Sequence, residues 1–269
     1  MTNMLEGKTA VIYGGGGSIG GAVARTFARE GAQVFLVGRT QERLDAVARQ
    51  IEADGADNQG AGAAHTAAFD ALDEKAVDQH IQEVVRQTGR VDVSLNLINR
   101  GDVQGTPLVE MSPEDLLRAV HDGLRSNFLT ARAAARRMIE QGSGVILHLN
   151  SGSAGAAMPG MGSTGPADAA TESFMRYLAA ETGPHGVRVC GIWTAGVAET
   201  LSPEKLAAVG GENGVADPKT IDEMISGMAA LRRTPRLADV AGTAAFLASD
   251  HAAGITGTMI NVTCGLVLN

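Results

Sequence analysis

Only two cysteines, Cys190 and Cys264, occur in the chain, far apart in sequence. That count excludes a disulfide framework and a cysteine-based metal site, and predicts two buried thiols and no metal. Aromatic residues make up 3% and charged residues 19%. The first figure leaves the core to Val, Ile, Leu and Ala. The second is too low for a disordered chain. Basic residues are outnumbered 22 to 30, for a formal charge of −8. A nucleic-acid surface needs clustered Lys and Arg, and the one dense run, Arg132 to Arg137, falls in a helical stretch. No run of about 18 apolar residues exists to cross a membrane. The stretch Met1 to Lys8 holds no apolar segment of a secretory signal. A cytoplasmic protein without membrane or nucleic-acid partners is expected.

What the sequence has in abundance is glycine, and a regular alternation of short apolar runs with longer amphipathic ones. Strands are predicted at Lys8–Tyr13, Gln33–Val37, His65–Phe69, Val91–Ile98, Gly144–Asn150, Val187–Ile192 and Thr258–Val262. Helices are predicted at Ile19–Glu30, Gln41–Ala53, Glu74–Thr88, Glu114–Glu140, Pro166–Thr182 and Leu237–Ser249. Ser112-Pro113-Glu114 is a strong helix start, with a cap, a first-turn proline and an acid. Alternating β and α units imply an α/β fold, a Rossmann-type doubly wound parallel sheet in three layers. No break in the pattern divides residues 1–269, so a single domain is expected. Residues 199–235 stand apart: two short helical segments flank a Gly-rich middle at Gly210-Gly211-Glu212-Asn213-Gly214. Such inserts are usually lids or binding loops, and this one reads as a flap whose Leu201, Leu206, Met224, Ile225 and Met228 suit an apolar substrate.

Gly14, Gly15, Gly16, Gly17, Ser18, Ile19 and Gly20 follow the first strand and open the first helix. Placed there, a glycine run is a dinucleotide fingerprint: it lets backbone approach a pyrophosphate, which meets the free N–H groups of the helix end. The end of the second strand selects the cofactor. An acid would bind the adenosine ribose of NAD(H). Here Gly38 is followed by Arg39, whose guanidinium can clamp a 2′-phosphate, so NADP(H) is expected over NAD(H).

These residues and others resemble the short-chain dehydrogenase/reductase family over nearly the whole chain. Gly14 to Gly20 is similar to the family's TGxxxGIG turn. Asp70, with Ala71 beside it, resembles the acid that contacts adenine. Asn96 matches the first Asn of NNAG. Gly196, Val197 and Thr200 lie in the stretch resembling PGxxxT, whose Thr meets the carboxamide. The resemblance implies that all of these contact the cofactor, and that the long helices pair subunits into a homodimer or homotetramer.

It also implies a Ser, a Tyr-x-x-x-Lys pair and an Asn as the proton relay, and here the chain departs. Ser151 takes the Ser position, but Thr164 stands at the Tyr position, Asp168 at the Lys position and Gly123 near the Asn position. A Thr hydroxyl is far less acidic than a phenol, and a carboxylate raises the pKa of a neighbouring acid. Asp168 retains the capacity to accept from ribose hydroxyls. Ser151, Thr164 and Asp168 are therefore the candidate catalytic residues of an unusual site. Arg100 and Asp102, past the fourth strand, are the next polar groups at that edge. His148 and Tyr177 read as structural. Three functions stay open: an NADP(H)-dependent oxidoreductase acting on a small, fairly apolar carbonyl, enone or imine with an atypical proton source; a cofactor-binding pseudoenzyme; or a non-redox enzyme on the same scaffold.

Overall fold

The computed structural model describes residues 3–55, 62–210 and 217–268. Seven parallel strands form one sheet in the order β3-β2-β1-β4-β5-β6-β7. They are β1 Thr9–Tyr13, β2 Gln33–Gly38, β3 Ala64–Ala68, β4 Val93–Asn96, β5 Gly144–Asn150, β6 Val187–Thr194 and β7 Thr258–Val262. The main helices are α1 Ser18–Arg29, α2 Gln41–Gly55, α3 Glu74–Thr88, α4 Pro113–Gln141 and α5 Thr164–Thr182. After β6 come α6 Pro203–Gly210, α7 Pro218–Met228 and α8 Leu237–Ala248.

Helices cover both faces, which is why strands such as Thr9–Tyr13 are buried along their whole length. On one face Val23, Phe27, Leu44 and Leu247 pack with Ile12, Leu36 and Ile192. On the other, Ile81, Ala134, Met138 and Met175 pack with Val11, Phe35 and Ile146. The doubly wound architecture is the one the alternation implies. Both cysteines are free and buried. No described helix is long and apolar enough to cross a membrane.

Boundaries moved where side chains intervene. The fourth strand is shorter than Val91–Ile98 because Asn96 turns its Oδ1 back to accept the Ile98 N–H at 3.0 Å, ending the ladder. Ser112 caps α4 through the Asp115 N–H, and Gly142 ends it in the left-handed region. The sheet reverses winding between β1 and β4, and ligands of such sheets bind at the carboxyl ends beside that switch point. In the segment 199–235, α6 and α7 are the two helical pieces; Gly211 to Gly214 lie outside the described residues, as does part of the loop from Gly55 to Ala64.

Candidate active site

The glycine turn is held by backbone packing against backbone. Gly14 has φ +83°, and a Cβ there would lie 2.5 Å from the Leu97 carbonyl oxygen. Gly20 sits so close to the Gly14 carbonyl that any side chain would collide. Gly17 caps α1 with no side-chain hydrogen bond, and the first turn of α1 has no acid. The N-terminal N–H groups of α1 are thus unmasked by any carboxylate.

A cleft of about 370 Å³ starts at this turn. Gly14, Arg39, Asp70, Ala71, Asn99 and Arg100 share its wall, so the adenosine-side residues and the loop after β4 face one space. Arg39 makes no ion pair among the described residues. Asp70 accepts the Leu72 N–H at 2.9 Å, which fixes its loop. The arrangement fits a dinucleotide: an uncovered helix start, a close-packed turn and an uncommitted guanidinium at the end of β2. Gly14, Gly16, Gly17, Ser18, Ile19 and Gly20 would cradle the bridging phosphates, and Arg39 a 2′-phosphate.

Other expected cofactor residues are occupied internally. Asn96 is buried, and its Nδ2 donates to Thr130 Oγ1 at 3.1 Å. Thr200 donates its hydroxyl to the Val197 carbonyl at 2.8 Å, leaving only oxygen lone pairs for a ligand. Gly196 has φ +53° and lies directly under Ile225 of α7, with no room for a side chain. These contacts tie the chain after β6 to α7.

Behind Arg100, which lines the cleft, Asp168 is fully buried. Its Oδ1 accepts from Arg100 at 2.5 Å. Its Oδ2 accepts the Ser151 N–H at 3.1 Å and the Ser151 hydroxyl at 2.7 Å. Asp168, expected to accept from ribose hydroxyls, thus accepts three hydrogen bonds from Arg100 and Ser151 within the protein. Arg100 also donates to Asp102 at 2.9 Å and, at 3.4 Å, to the Thr164 carbonyl. Burial works against the charged guanidinium, but the two carboxylates outweigh it and hold Arg100 above the usual arginine range.

The same geometry changes what Ser151 can do. A carboxylate only accepts, so the single Ser151 proton goes to Asp168. The 2.7 Å contact between the Ser151 and Ser153 hydroxyls must then be donated by Ser153. Ser153 also gives its backbone N–H to Ser151 Oγ at 3.2 Å. Ser151 is saturated, and the donors run inward: Ser153 to Ser151 to Asp168. Thr164 is 2% exposed and its Oγ1 accepts from Gln104 Nε2 at 3.0 Å. Ser151, expected as a catalytic residue, thus directs its hydroxyl proton to Asp168.

The space for this network comes from Gly123. A Cβ at Gly123 would lie 2.7 Å from Arg100 Cδ. Gly123 is inside a 29-residue helix, where glycine costs roughly 1 kcal/mol against alanine. That cost was a visible signal in the sequence that something passes close by. Lys205 was missed altogether: from α6 its Nζ donates to Ser18 Oγ at 3.0 Å, 187 residues away in sequence. Burial, then the nearby Arg43, lower its pKa.

Comparison with known proteins gives the same outline. The family described as enoyl-(acyl carrier protein) reductase matches residues 15–267. The L-rhamnose 1-dehydrogenase (NAD(P)(+)) of Azotobacter vinelandii is 33% identical, over 99% of both chains. The gluconate 5-dehydrogenase of Gluconobacter oxydans is 29% identical, over 98% of this chain and 96% of that one. The crystal structure of carveol dehydrogenase from Mycobacterium avium in complex with NAD superposes with a TM-score of 0.88, covering 100% of both chains at 23% identity. The last likeness concerns the fold alone.

Proposed function

The chain belongs to the short-chain dehydrogenase/reductase family, and from that premise we propose that it is a cytoplasmic NADP(H)-dependent oxidoreductase with a non-standard active site. Its substrate is a small, fairly apolar carbonyl, enone or imine. When bound, the coenzyme supplies or accepts a hydride. The chain's own part is to hold the pyrophosphate at Gly14–Gly20, to select the 2′-phosphate through Arg39, and to enclose the reacting end with Ser151, Ser153 and the Arg100–Asp168 pair. The observation that carries this reading is one cleft lined at once by Gly14, Arg39, Asp70 and Arg100. A neighbouring apolar cavity of about 420 Å³, lined by Leu108, Met158, Met161 and Ser153, gives room for the substrate body.

Calorimetric titration tests the coenzyme. NADPH is expected to bind at least about tenfold tighter than NADH, with Arg39→Ala abolishing the difference. Equal affinity in the wild type overturns the preference, and no binding of either at millimolar dose overturns the whole reading. A panel of ketones, enones and imines tests turnover.

The inward-running hydroxyls favour a second reading: a coenzyme-binding pseudoenzyme. Silence across the panel with coenzyme bound supports it. We further propose a homodimer or homotetramer formed through α4 and α5. Leu117, Phe128 and Tyr177 lie exposed on these helices, and light scattering with Tyr177→Asp tests the assembly.

A further inference from the structure

We infer that this site takes a cationic C=N substrate, an iminium ion, and reduces it without moving a proton. The inference rests on the dinucleotide-dependent reading above and names its substrate class.

Charge is the first argument. Arg100, Asp102 and Asp168 form one contact group, with a formal charge of −1. Arg118, beside Gly101, is paired with Asp115 at 2.8 Å and adds nothing net. Behind the group, Glu172 is buried, accepts from Trp193 at 2.7 Å and lies 3.7 Å from a largely exposed Arg176. On the cleft wall Asp70 and Asp122 stand with Arg39, Arg100 and Arg118, so the wall itself adds no net negative charge. The contact group around Arg100 is negative, in a partly desolvated space where charge is felt more strongly than in water. A neutral substrate draws nothing from that field, an anionic one is repelled, and a cation is held.

Proton supply is the second argument. Hydride addition to a ketone leaves an alkoxide that must receive a proton, so a donor must face the substrate. Here Ser153 and Ser151 send their protons toward Asp168, and Thr164 is buried against Gln104. An iminium ion removes the requirement. The hydride's electron pair forms the new C–H bond. The C=N π pair withdraws onto nitrogen as a lone pair, and nitrogen loses its positive charge. The coenzyme gains that charge on giving up hydride. Atoms and electrons balance with no proton transferred. The adjoining cavity lined by Leu108, Met158 and Met161 suits the hydrocarbon body of such a cation.

The test has a binding arm and a turnover arm. In the first, calorimetry compares a permanently charged tetrahydroisoquinolinium, N,N-dimethylated, with neutral 1-tetralone, with and without NADPH. The cation is expected to bind about tenfold tighter. Asp102→Asn is expected to remove most of that difference while tetralone binding stays the same, and Asp102→Glu to retain it. In the second, N-methyl-3,4-dihydroisoquinolinium is expected to be reduced by NADPH at a rate nearly independent of pH, with no reduction of tetralone. Equal binding of cation and ketone, or comparable reduction of both, overturns the inference. A protein that prefers the cation but binds no coenzyme overturns the dinucleotide reading instead.

Discussion

Arg100 lies across Gly123 so closely that the smallest side chain at that helix position would sit 2.7 Å from its Cδ. The guanidinium then ends on the buried Asp168 of the next long helix. One missing Cβ on α4, one arginine after β4 and one carboxylate on α5 are thus a single coupled substitution. Arg100 needs the space, Asp168 needs the charge, and Gly123 has no other evident reason to interrupt a helix.

The first prediction follows from that coupling. Arg100→Met keeps some packing but leaves Asp168 buried without its cation. Breaking one side of a buried pair costs about 3–5 kcal/mol. Urea unfolding should show a loss of about 3 kcal/mol. Adding Asp168→Asn should recover much of it, since no charge then remains uncompensated. A single variant with wild-type stability would mean that the pair is not a structural unit.

Restoring the family's relay residues provides the second. Thr164→Tyr with Asp168→Lys would place an ammonium against Arg100 in a buried site. The double variant should be strongly destabilised and inactive on ketones. Adding Arg100→Ile and Gly123→Asn removes the like charge and fills the freed space. The fourfold variant is expected to reduce ketones with NADPH, read as coenzyme oxidation at 340 nm. Ketone activity in the double variant alone would contradict the coupling.

The fold was readable because it depends on periodicity, and periodicity is local. Buried parallel strands such as Thr9–Tyr13 and the capped start at Ser112 declare themselves within a few residues. The glycine turn was readable for the same reason. The reacting end was not, because its meaning lies in contacts between distant segments. Asp168 reads as an acid in the wrong place until Arg100 is seen to lie against it. Ser151 reads as an available donor until its proton is traced to Asp168. Lys205 gives no local sign of reaching Ser18.

A third prediction concerns pH. His148 is buried, and burial, opposed by a backbone contact with Cys190, lowers its pKa to about 4. His80 is likewise lowered to about 4 by burial. Each binds a proton more readily in the unfolded chain. Stability is therefore complete above the unfolded value near 6.5 and falls as pH drops from there toward 4. For His148 the full loss is about 3 kcal/mol. Urea midpoints at pH 7.5 and 5 should differ, and His148→Phe should flatten the slope. An unchanged slope in that variant would assign the loss elsewhere.

Lys205 yields the last prediction. Its ammonium sits on Ser18 at the uncapped start of α1, close enough to Arg43 to feel its charge. Two cations thus converge on a turn that offers backbone N–H groups and no acid, and neither has an ion-pair partner among the described residues. A bridging phosphate relieves that repulsion. Lys205→Ala is expected to weaken NADP(H) and NAD(H) about equally, by roughly tenfold each, since a lost charge-assisted hydrogen bond is worth about 1.5 kcal/mol. Arg39→Ala, by contrast, should affect NADP(H) alone. Salt separates the two cases further: the lysine variant should lose affinity less steeply as ionic strength rises, having one screened attraction fewer. Undiminished binding of both coenzymes by Lys205→Ala would leave the contact with Ser18 a purely structural tie between α6 and α1.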